Sequence, residues 1–94
     1  EYPGGIQAMY DYIGKHLVYP SLARENAKEG KVVLSFVIDA EGKVSMSEVE
    51  RGIGFGCDEE ALRVINKMPN WTPATQNGKP VAVRLMLPVV FRLQ

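Results

Sequence analysis

The sequence predicts a single α+β domain spanning residues 1–94, with the element order α-α-β-β-α-β. Every odd position from Val81 to Leu93 is apolar, which is the period of a strand with one face on a core. A second alternating segment, Lys31–Asp39, is followed by a turn and a return strand. Two other segments carry apolar residues at helical spacing, and a further short helix is predicted between Pro20 and Lys28. A chain of 94 residues with 46% hydrophobic residues builds one core, so we expect no second domain.

Two short helices are predicted in the first thirty residues. Residues 1–5 are predicted to be a flexible N-terminal segment, and the first helix then extends to about His16. Its apolar residues recur at helical spacing: Ile6, Met9, Tyr10, Ile13 and Leu17. Tyr19-Pro20 interrupts the pattern, because a residue before proline is disfavoured in the helical region. A second helix starts at about this proline and ends near Lys28, and Gly30 provides a left-handed stop.

The middle of the chain predicts a β-hairpin. One face of its first strand carries Val32, Leu34, Phe36 and Ile38. The turn is Asp39-Ala40-Glu41-Gly42, which ends in the glycine that such turns need. On the return strand Val44 and Met46 are in phase, but Val49 is not. This change of phase predicts a bulge near Ser47–Glu48 or the end of the pairing.

A third helix is predicted from about Asp58 to Met68. Its buried face consists of Ala61, Leu62, Ile65 and Met68. Acidic residues at positions 58–60 suit the positive end of its dipole, and Pro69 ends it. Segments 71–73 and 77–80 are predicted as turns before the last strand. Trp71 and Phe36 are predicted to fill the core.

The last strand is predicted to lie at an edge of a three-stranded antiparallel sheet. The first strand is apolar on both faces and is therefore placed in the centre, which gives the order 2-1-3. The helices then pack on one face, against the odd-numbered side chains of the last strand. Pro88 has no N–H and cannot complete a ladder on both sides, so this strand belongs at an edge. An open edge is a place where a partner can add a strand of its own.

Composition excludes several classes of function. Eleven basic residues balance eleven acidic ones, whereas a nucleic-acid surface needs a positive excess. One cysteine cannot form an internal disulfide. No apolar run approaches the ~20 residues of a membrane-spanning helix.

No catalytic or metal-binding pattern is present in the sequence. His16 and Cys57 are the only histidine and cysteine, and they lie in separate predicted elements. They supply neither a nucleophile with its base nor a set of metal ligands. We therefore expect no enzyme activity, metal or cofactor. Cys57 lies near a helix start, which lowers a thiol pKa, but free cysteines are more often small buried hydrophobic residues.

A set of short motifs resembles one known family. In chain order they are Tyr19-Pro20-x-x-Ala23, Glu29-Gly30-x-Val32, Phe36-x-Ile38-Asp39-x-x-Gly42-x-Val44, Glu60-Ala61-Leu62, Met68-Pro69-x-Trp71-x-Pro73-Ala74, Asn77-Gly78-Lys79-Pro80-Val81 and Pro88-Val89-x-Phe91. Together they resemble the C-terminal domain of TonB-type energy transducers, in the form typical of Bacteroidetes. The resemblance covers nearly the whole chain from about Gly4.

The resemblance implies a periplasmic domain of a longer protein anchored in the inner membrane. The chain begins at Glu1 without methionine, which is typical of a piece of a longer protein, and the resemblance implies an inner-membrane helix and a proline-rich periplasmic linker ahead of it. The family couples the proton-motive force, harvested by an inner-membrane complex, to TonB-dependent outer-membrane transporters. Its C-terminal domain binds the TonB box of the transporter by strand addition.

By this resemblance the partner binds the last strand and the segment before the second helix. The residues expected to contact it are Tyr19, Pro20, Val81, Val83, Arg84, Leu85, Met86, Val90 and Arg92. The family motif Gln-Pro-x-Tyr-Pro is replaced here by His16-Leu17-Val18-Tyr19-Pro20. Contacts of the missing glutamine and first proline are therefore not transferred to His16 and Leu17.

Two alternatives remain open at the level of sequence. The edge strand can instead pair with a second copy of the domain to form a homodimer, or be covered by the segment upstream of Glu1. The domain can also be a periplasmic interaction module at the tail of a membrane-bound sensor or peptidase-like regulator. The sequence upstream distinguishes a transducer from a regulator. A single membrane helix with a Pro/Lys/Glu-rich linker indicates a transducer, and several helices with a metalloprotease motif indicate a regulator.

Overall fold

The computed structural model describes residues 1–93 and confirms the α+β architecture. Its elements are α1 (Gly5–His16), α2 (Ser21–Glu25), β1 (Gly30–Ile38), β2 (Val44–Arg51), α3 (Cys57–Asn66), β3 (Ala74–Gln76), β4 (Lys79–Val81) and β5 (Val83–Phe91). The predicted element order is present, with two additional short strands between α3 and the last strand. Within residues 1–93 no helix is long and apolar enough to cross a membrane.

The main sheet is antiparallel, in the order β2-β1-β5, as the sequence predicts. β1 and β5 pair over their full length without a shift of register, from Gly30 opposite Phe91 to Ile38 opposite Val83. The apolar first strand is therefore central, and the proline-containing last strand lies at an edge.

β2 pairs less regularly than β5. Ser35 lies opposite Glu48, but two residues further along β1, Val37 lies opposite Ser45. The extra residue on β2 forms a bulge, in which Met46 has a φ of 50°. A second irregularity lies between Val33 and Leu34. The irregularity predicted near residues 47–48 is thus confirmed.

The core lies between one face of the sheet and the helices. The odd-numbered residues of β5 point into it, as predicted: Leu87, Val89 and Phe91 are buried and Val83 and Leu85 are half-buried. Helix α1 contributes Met9 and Ile13, and α3 contributes Cys57, Ala61, Val64 and Ile65. Phe36 is 1% exposed, which confirms its predicted core position. Trp71 is half-buried and packs against the same cluster.

Two helices differ from the prediction in their boundaries. Helix α2 ends at Glu25 rather than near Lys28, because Ala27 has a left-handed φ of 51° and cannot continue the helix. Helix α3 begins at Cys57, directly after Gly56, whose φ of 84° is typical of glycine, and it ends at Asn66.

Residues 1–4, predicted as part of a flexible segment, pack against the rest of the domain. Tyr2 is buried, and its ring lies edge-on to that of Trp71 with centroids 5.5 Å apart. The main-chain N–H of Thr72 donates to the carbonyl of Glu1 at 2.7 Å. The burial of Tyr2 and the hydrogen bond to the Glu1 carbonyl therefore hold this segment in place.

A short hairpin, β3–β4, replaces the second of the two predicted turns. Gln76 lies opposite Lys79, so the loop consists of Asn77 and Gly78 alone. Both loop residues have positive φ, 53° and 79°, as a type I′ turn requires. Ala82 separates β4 from β5, so the last regular strand is shorter than the predicted Val81–Leu93.

Candidate functional site

The free edge of β5 carries main-chain groups that have no strand beside them in residues 1–93. The Ser45 hydroxyl donates to the carbonyl of Val37 at 3.4 Å, so the main chain of Val37 faces β2. Arg84 lies opposite Val37, and its N–H and C=O therefore point away from β1. By alternation, the main-chain groups of Met86 and Val90 also face the free edge.

Pro88 has the same orientation as these residues. Its missing N–H lies on the free edge, where it removes no hydrogen bond to β1. The edge position that Pro88 predicts is thereby confirmed. On this edge the remaining N–H donors of β5 are those of Arg84, Met86 and Val90.

The outer face of the sheet has no helix over it. Met86 is 63% exposed there, and Arg84 and Val90 are also exposed. Ser35 is buried between longer side chains; its hydroxyl donates to a Glu50 carboxylate oxygen at 2.6 Å and accepts from Arg84 Nη1 at 3.1 Å. This chain of hydrogen bonds crosses all three strands and draws the guanidinium of Arg84 away from the free edge.

A cleft lies on the inner side of the sheet, next to the same edge. Its volume is about 390 Å³, and its walls are mainly apolar. One wall is the inner face of β5, with Val83, Leu85 and Leu87; the opposite wall includes Ile6 and Met9 of α1. Trp71 and Phe36 form the floor together with neighbouring residues. Met86 also lines the cleft, so the cleft reaches the free edge of β5.

Trp71 is held in this cleft by the β1–β2 turn. The main-chain N–H of Trp71 donates to the carbonyl of Gly42 at 2.7 Å. A Cβ on Gly42 would lie 2.0 Å from the Trp71 carbonyl oxygen, so only glycine fits here. The indole contacts Phe36, with ring centroids 5.9 Å apart. Its Nε1–H is buried and has no acceptor within residues 1–93.

Tyr19 and Pro20 lie at the far end of β5 from the cleft. The Tyr19 ring is edge-on to Phe91, with centroids 5.6 Å apart. Its hydroxyl donates to the carbonyl of Lys28, so its polar group is used within the domain. Pro20 is half-buried beside Gly56. The geometry gives Tyr19 a clear structural role, and its contact with a partner stays a prediction.

Glu60 and Arg63 connect α3 to the segment before α2. The Glu60 carboxylate accepts from the N–H of Val18 at 2.7 Å and pairs with Arg63 at 2.7 Å. Arg63 also donates to the carbonyl of His16 at 2.9 Å. The hydrogen bond from Arg63 lowers the pKa of the Glu60 carboxyl. These contacts explain why a glutamate occupies this position in the third helix.

The side chains that could take part in catalysis or metal binding have structural roles in the domain. Cys57 is fully buried, and burial raises the pKa of its thiol, which favours its interpretation as a small buried hydrophobic residue. The Asp58 carboxylate accepts from the N–H groups of Ile53 and Gly54 at 2.9 and 3.2 Å, so it fixes the preceding loop. Across residues 1–93 no three His, Cys, Asp or Glu side chains are placed to hold a metal ion.

Comparison with known protein families identifies the family of this domain. The sequence model of the Gram-negative bacterial TonB protein C-terminal family matches residues 15–93, most of the chain. The chain belongs to this TonB C-terminal domain family. In TonB proteins this domain is periplasmic and belongs to a non-catalytic energy-transducer family.

Two individual proteins support the assignment. The chain is 32% identical over 77 residues to Protein TonB of Vibrio cholerae serotype O1. This alignment covers 81% of the chain but 31% of the Vibrio protein, so the chain spans about a third of that relative. The solution structure of the Helicobacter pylori TonB C-terminal domain, residues 179–285, superposes with a TM-score of 0.70. It is 23% identical, and the match covers 99% of this chain and 89% of the other.

The TonB-type domain brings some of the predicted contact residues together and separates others. Arg84, Met86 and Val90 share the free edge of β5, and Arg92 lies exposed just beyond it. The main chains of Val83 and Leu85 face β1, and Val81 pairs with Ala74 in the small hairpin. The sequence did not indicate the cleft, because its walls come from residues as distant as Ile6, Trp71 and Leu85. Ile6 was expected on the apolar face of the first helix, but in the structure it is 69% exposed.

Proposed function

We propose that this domain binds an extended peptide by strand addition to the free edge of β5. In the whole protein the peptide is the TonB box of an outer-membrane transporter. The domain would then act in the periplasm as the end of a transducer that links an inner-membrane proton-motive-force complex to uptake.

The difference between the two sheet edges carries the proposal. β2 is broken by two shifts of register, and bulges make an edge a poor template for another strand. β5 pairs with β1 over nine residues without a shift, so its free edge has no bulge and lacks one N–H, that of Pro88. A partner strand therefore finds a regular row of main-chain groups on β5 and not on β2.

The side chains at this edge favour a peptide that is mainly apolar. Met86 and Val90 are exposed on the outer face, next to the positive charge of Arg84 and, further on, Arg92. Because Arg84 is bonded to Ser35, we expect its charge to favour an occasional acidic side chain of the partner but to add less affinity than the main chain. Main-chain hydrogen bonds then give most of the affinity, and a short flexible peptide binds with an affinity of about 1 μM or weaker.

A proline substitution at Met86 tests this proposal. Met86→Pro removes one N–H from the free edge but none from the β1 ladder, as Pro88 already does two residues away. We expect it to weaken binding of N-terminal transporter peptides by about tenfold. Met86→Ala, the matched control, keeps the N–H and is expected to stay within about threefold. Arg84→Ala is expected to cost about 1 kcal/mol or less.

The measurement is a titration of isotope-labelled domain followed through its amide resonances. Strand addition shifts the amides of residues 83–91 and leaves most of α1 unchanged. If the shifts cluster on the helical face around residues 6–17 while β5 is unaffected, strand addition at β5 is wrong. Equal loss of affinity in Met86→Pro and Met86→Ala would show that side chains, not the main chain, hold the peptide.

A further inference from the structure

The cleft beside β5 has no role in strand addition as such. Main-chain pairing accepts almost any sequence, so it does not explain how one peptide is chosen over another. Ile6 is 69% exposed at the rim of the cleft, although it lies on an otherwise amphipathic helix. The selection of one peptide over another rests on the proposed function, and it depends on which side chains the added strand carries.

The position of the cleft follows from the geometry of a sheet. Residues directly opposite each other on neighbouring strands point to the same face. Every second side chain of a strand added to β5 would therefore lie beside Val83, Leu85 and Leu87, on the inner side. These three residues form one wall of the cleft. The inner side chains of the added strand would enter the space between β5 and Ile6 of α1.

The two sides of the edge differ in charge. The cleft is mainly apolar, and Glu1 is the charged residue in its wall. Arg84 lies on the other face of the sheet, beside the outward side chains of an added strand. An acidic side chain is therefore disfavoured toward the cleft and favoured on the outer face. The cleft volume of about 390 Å³ is within the range of pockets that hold small ligands or side chains.

We propose that the cleft between β5 and the first turns of α1 selects the partner strand by binding its inward-facing apolar side chains. The preferred occupant is an extended peptide with aliphatic residues at alternate positions and polar or acidic residues between them. Trp71 in the floor of the cleft, whose Nε1–H has no acceptor within residues 1–93, is the residue that reports occupancy.

A pair of charge substitutions tests the cleft separately from the edge. Ile6→Glu places a carboxylate at the rim of the cleft, in the first turn of α1, where an acid is compatible with the helix dipole. We expect it to weaken binding of a peptide with alternating valine and threonine by about tenfold, the usual effect of a lost apolar contact in a pocket. Met46→Glu is the matched control, because Met46 is also 69% exposed but lies on β2.

Trp71 provides a direct readout, since it is the only tryptophan of the chain. Binding of the valine-containing peptide should shift its fluorescence and its indole N–H resonance. A peptide with serine at the inward positions should bind about tenfold more weakly and leave the indole unchanged.

The outcomes separate the two proposals. One outcome overturns the role of the cleft and leaves strand addition intact. In it, the peptide shifts the amides of β5, the Ile6→Glu domain binds as tightly as the parent domain, and the serine peptide binds as tightly as the valine peptide. Shifts that avoid β5 altogether would overturn both. Loss of affinity in Met46→Glu equal to that in Ile6→Glu would also overturn the cleft, because the effect would then be one of net charge.

Discussion

Trp71 and Phe36 show how single residues join the ends of the domain to its sheet. Phe36 is in the middle of the central strand, and Trp71 lies over it at 5.9 Å. Tyr2 in turn packs edge-on against Trp71. The N-terminal residues therefore depend on a tryptophan that is itself held by the carbonyl of Gly42. The aromatic residues stabilise the fold and build the floor of the cleft at the same time.

The first prediction concerns Phe36. Phe36→Ala removes a fully buried ring, and we expect it to lower the free energy of unfolding by about 3–5 kcal/mol. Leu22→Ala is the control; Leu22 is exposed on α2, and its loss should change stability by no more than about 0.5 kcal/mol. Urea denaturation measures both variants. Equal midpoints for the two would contradict the assignment of Phe36 to the core.

At the scale of elements, Glu60 and Arg63 fix the segment between α1 and α2 to α3. Residues 17–20 have no regular structure, and their position depends on the N–H of Val18 and the carbonyl of His16. Both groups are bonded to the same ion pair on α3. This contact sets the distance between the first two helices and holds Tyr19 against the end of β5.

The second prediction is a dependence of stability on pH. The folded-state pKa of Glu60 is lowered from 4.5, so its contribution is present above that pH and is lost as the pH falls further. Glu60→Gln should lower the free energy of unfolding at pH 7 by about 1 kcal/mol, since Arg63 is largely exposed. At pH 3 the difference from the parent should shrink.

Glu59→Gln serves as the control for this prediction. Glu59 is exposed on the same turn of α3, and its substitution at pH 7 should cost less stability than that of Glu60, because Glu59 acts through the helix dipole and not through a pair with Arg63. Urea denaturation at pH 7 and pH 3 measures all three proteins. A constant difference between Glu60→Gln and the parent would show that the charge of Glu60 does not stabilise the fold.

Most elements could be predicted from the sequence, because each repeats a simple period. The alternation in β1 and β5 and the position of Pro88 were sufficient for the sheet order. The β3–β4 hairpin was missed although Asn77-Gly78 is a strong type I′ signal, because strands of three residues are too short to show an alternating pattern. The buried position of Tyr2 and the cleft depend on contacts between distant parts of the chain, and no local pattern encodes them.

At the scale of the whole molecule, the domain has one covered face, one open face and two unequal edges. Its extents are 50 × 23 × 16 Å, so the domain is elongated. All three helices lie on the inner face, and the outer face is left to side chains such as Met86. The regular edge and the open face meet along β5, which is where the proposed partner binds.

The third prediction concerns oligomeric state. A second copy of the domain that pairs through β5 would occupy the same edge as the peptide, so the two associations exclude each other. We expect sedimentation velocity with saturating peptide to show one domain bound to one peptide. Any self-association seen without peptide should disappear when it is added. A complex of two domains that retains bound peptide would contradict this, because a homodimer would then use another surface.

Pro88 also bears on the solubility of the protein. A long, straight, apolar strand at an open edge is the kind of segment from which fibrils grow, since each added chain offers the same template to the next. The row of donors on β5 is interrupted at Pro88, and two copies that pair there lose a hydrogen bond at each proline. A short peptide that pairs beside Arg84 and Met86 still meets an uninterrupted row of main-chain groups. The uninterrupted part of the free edge is thus long enough to bind a short peptide and too short for copies of the domain to pair one after another into a fibril.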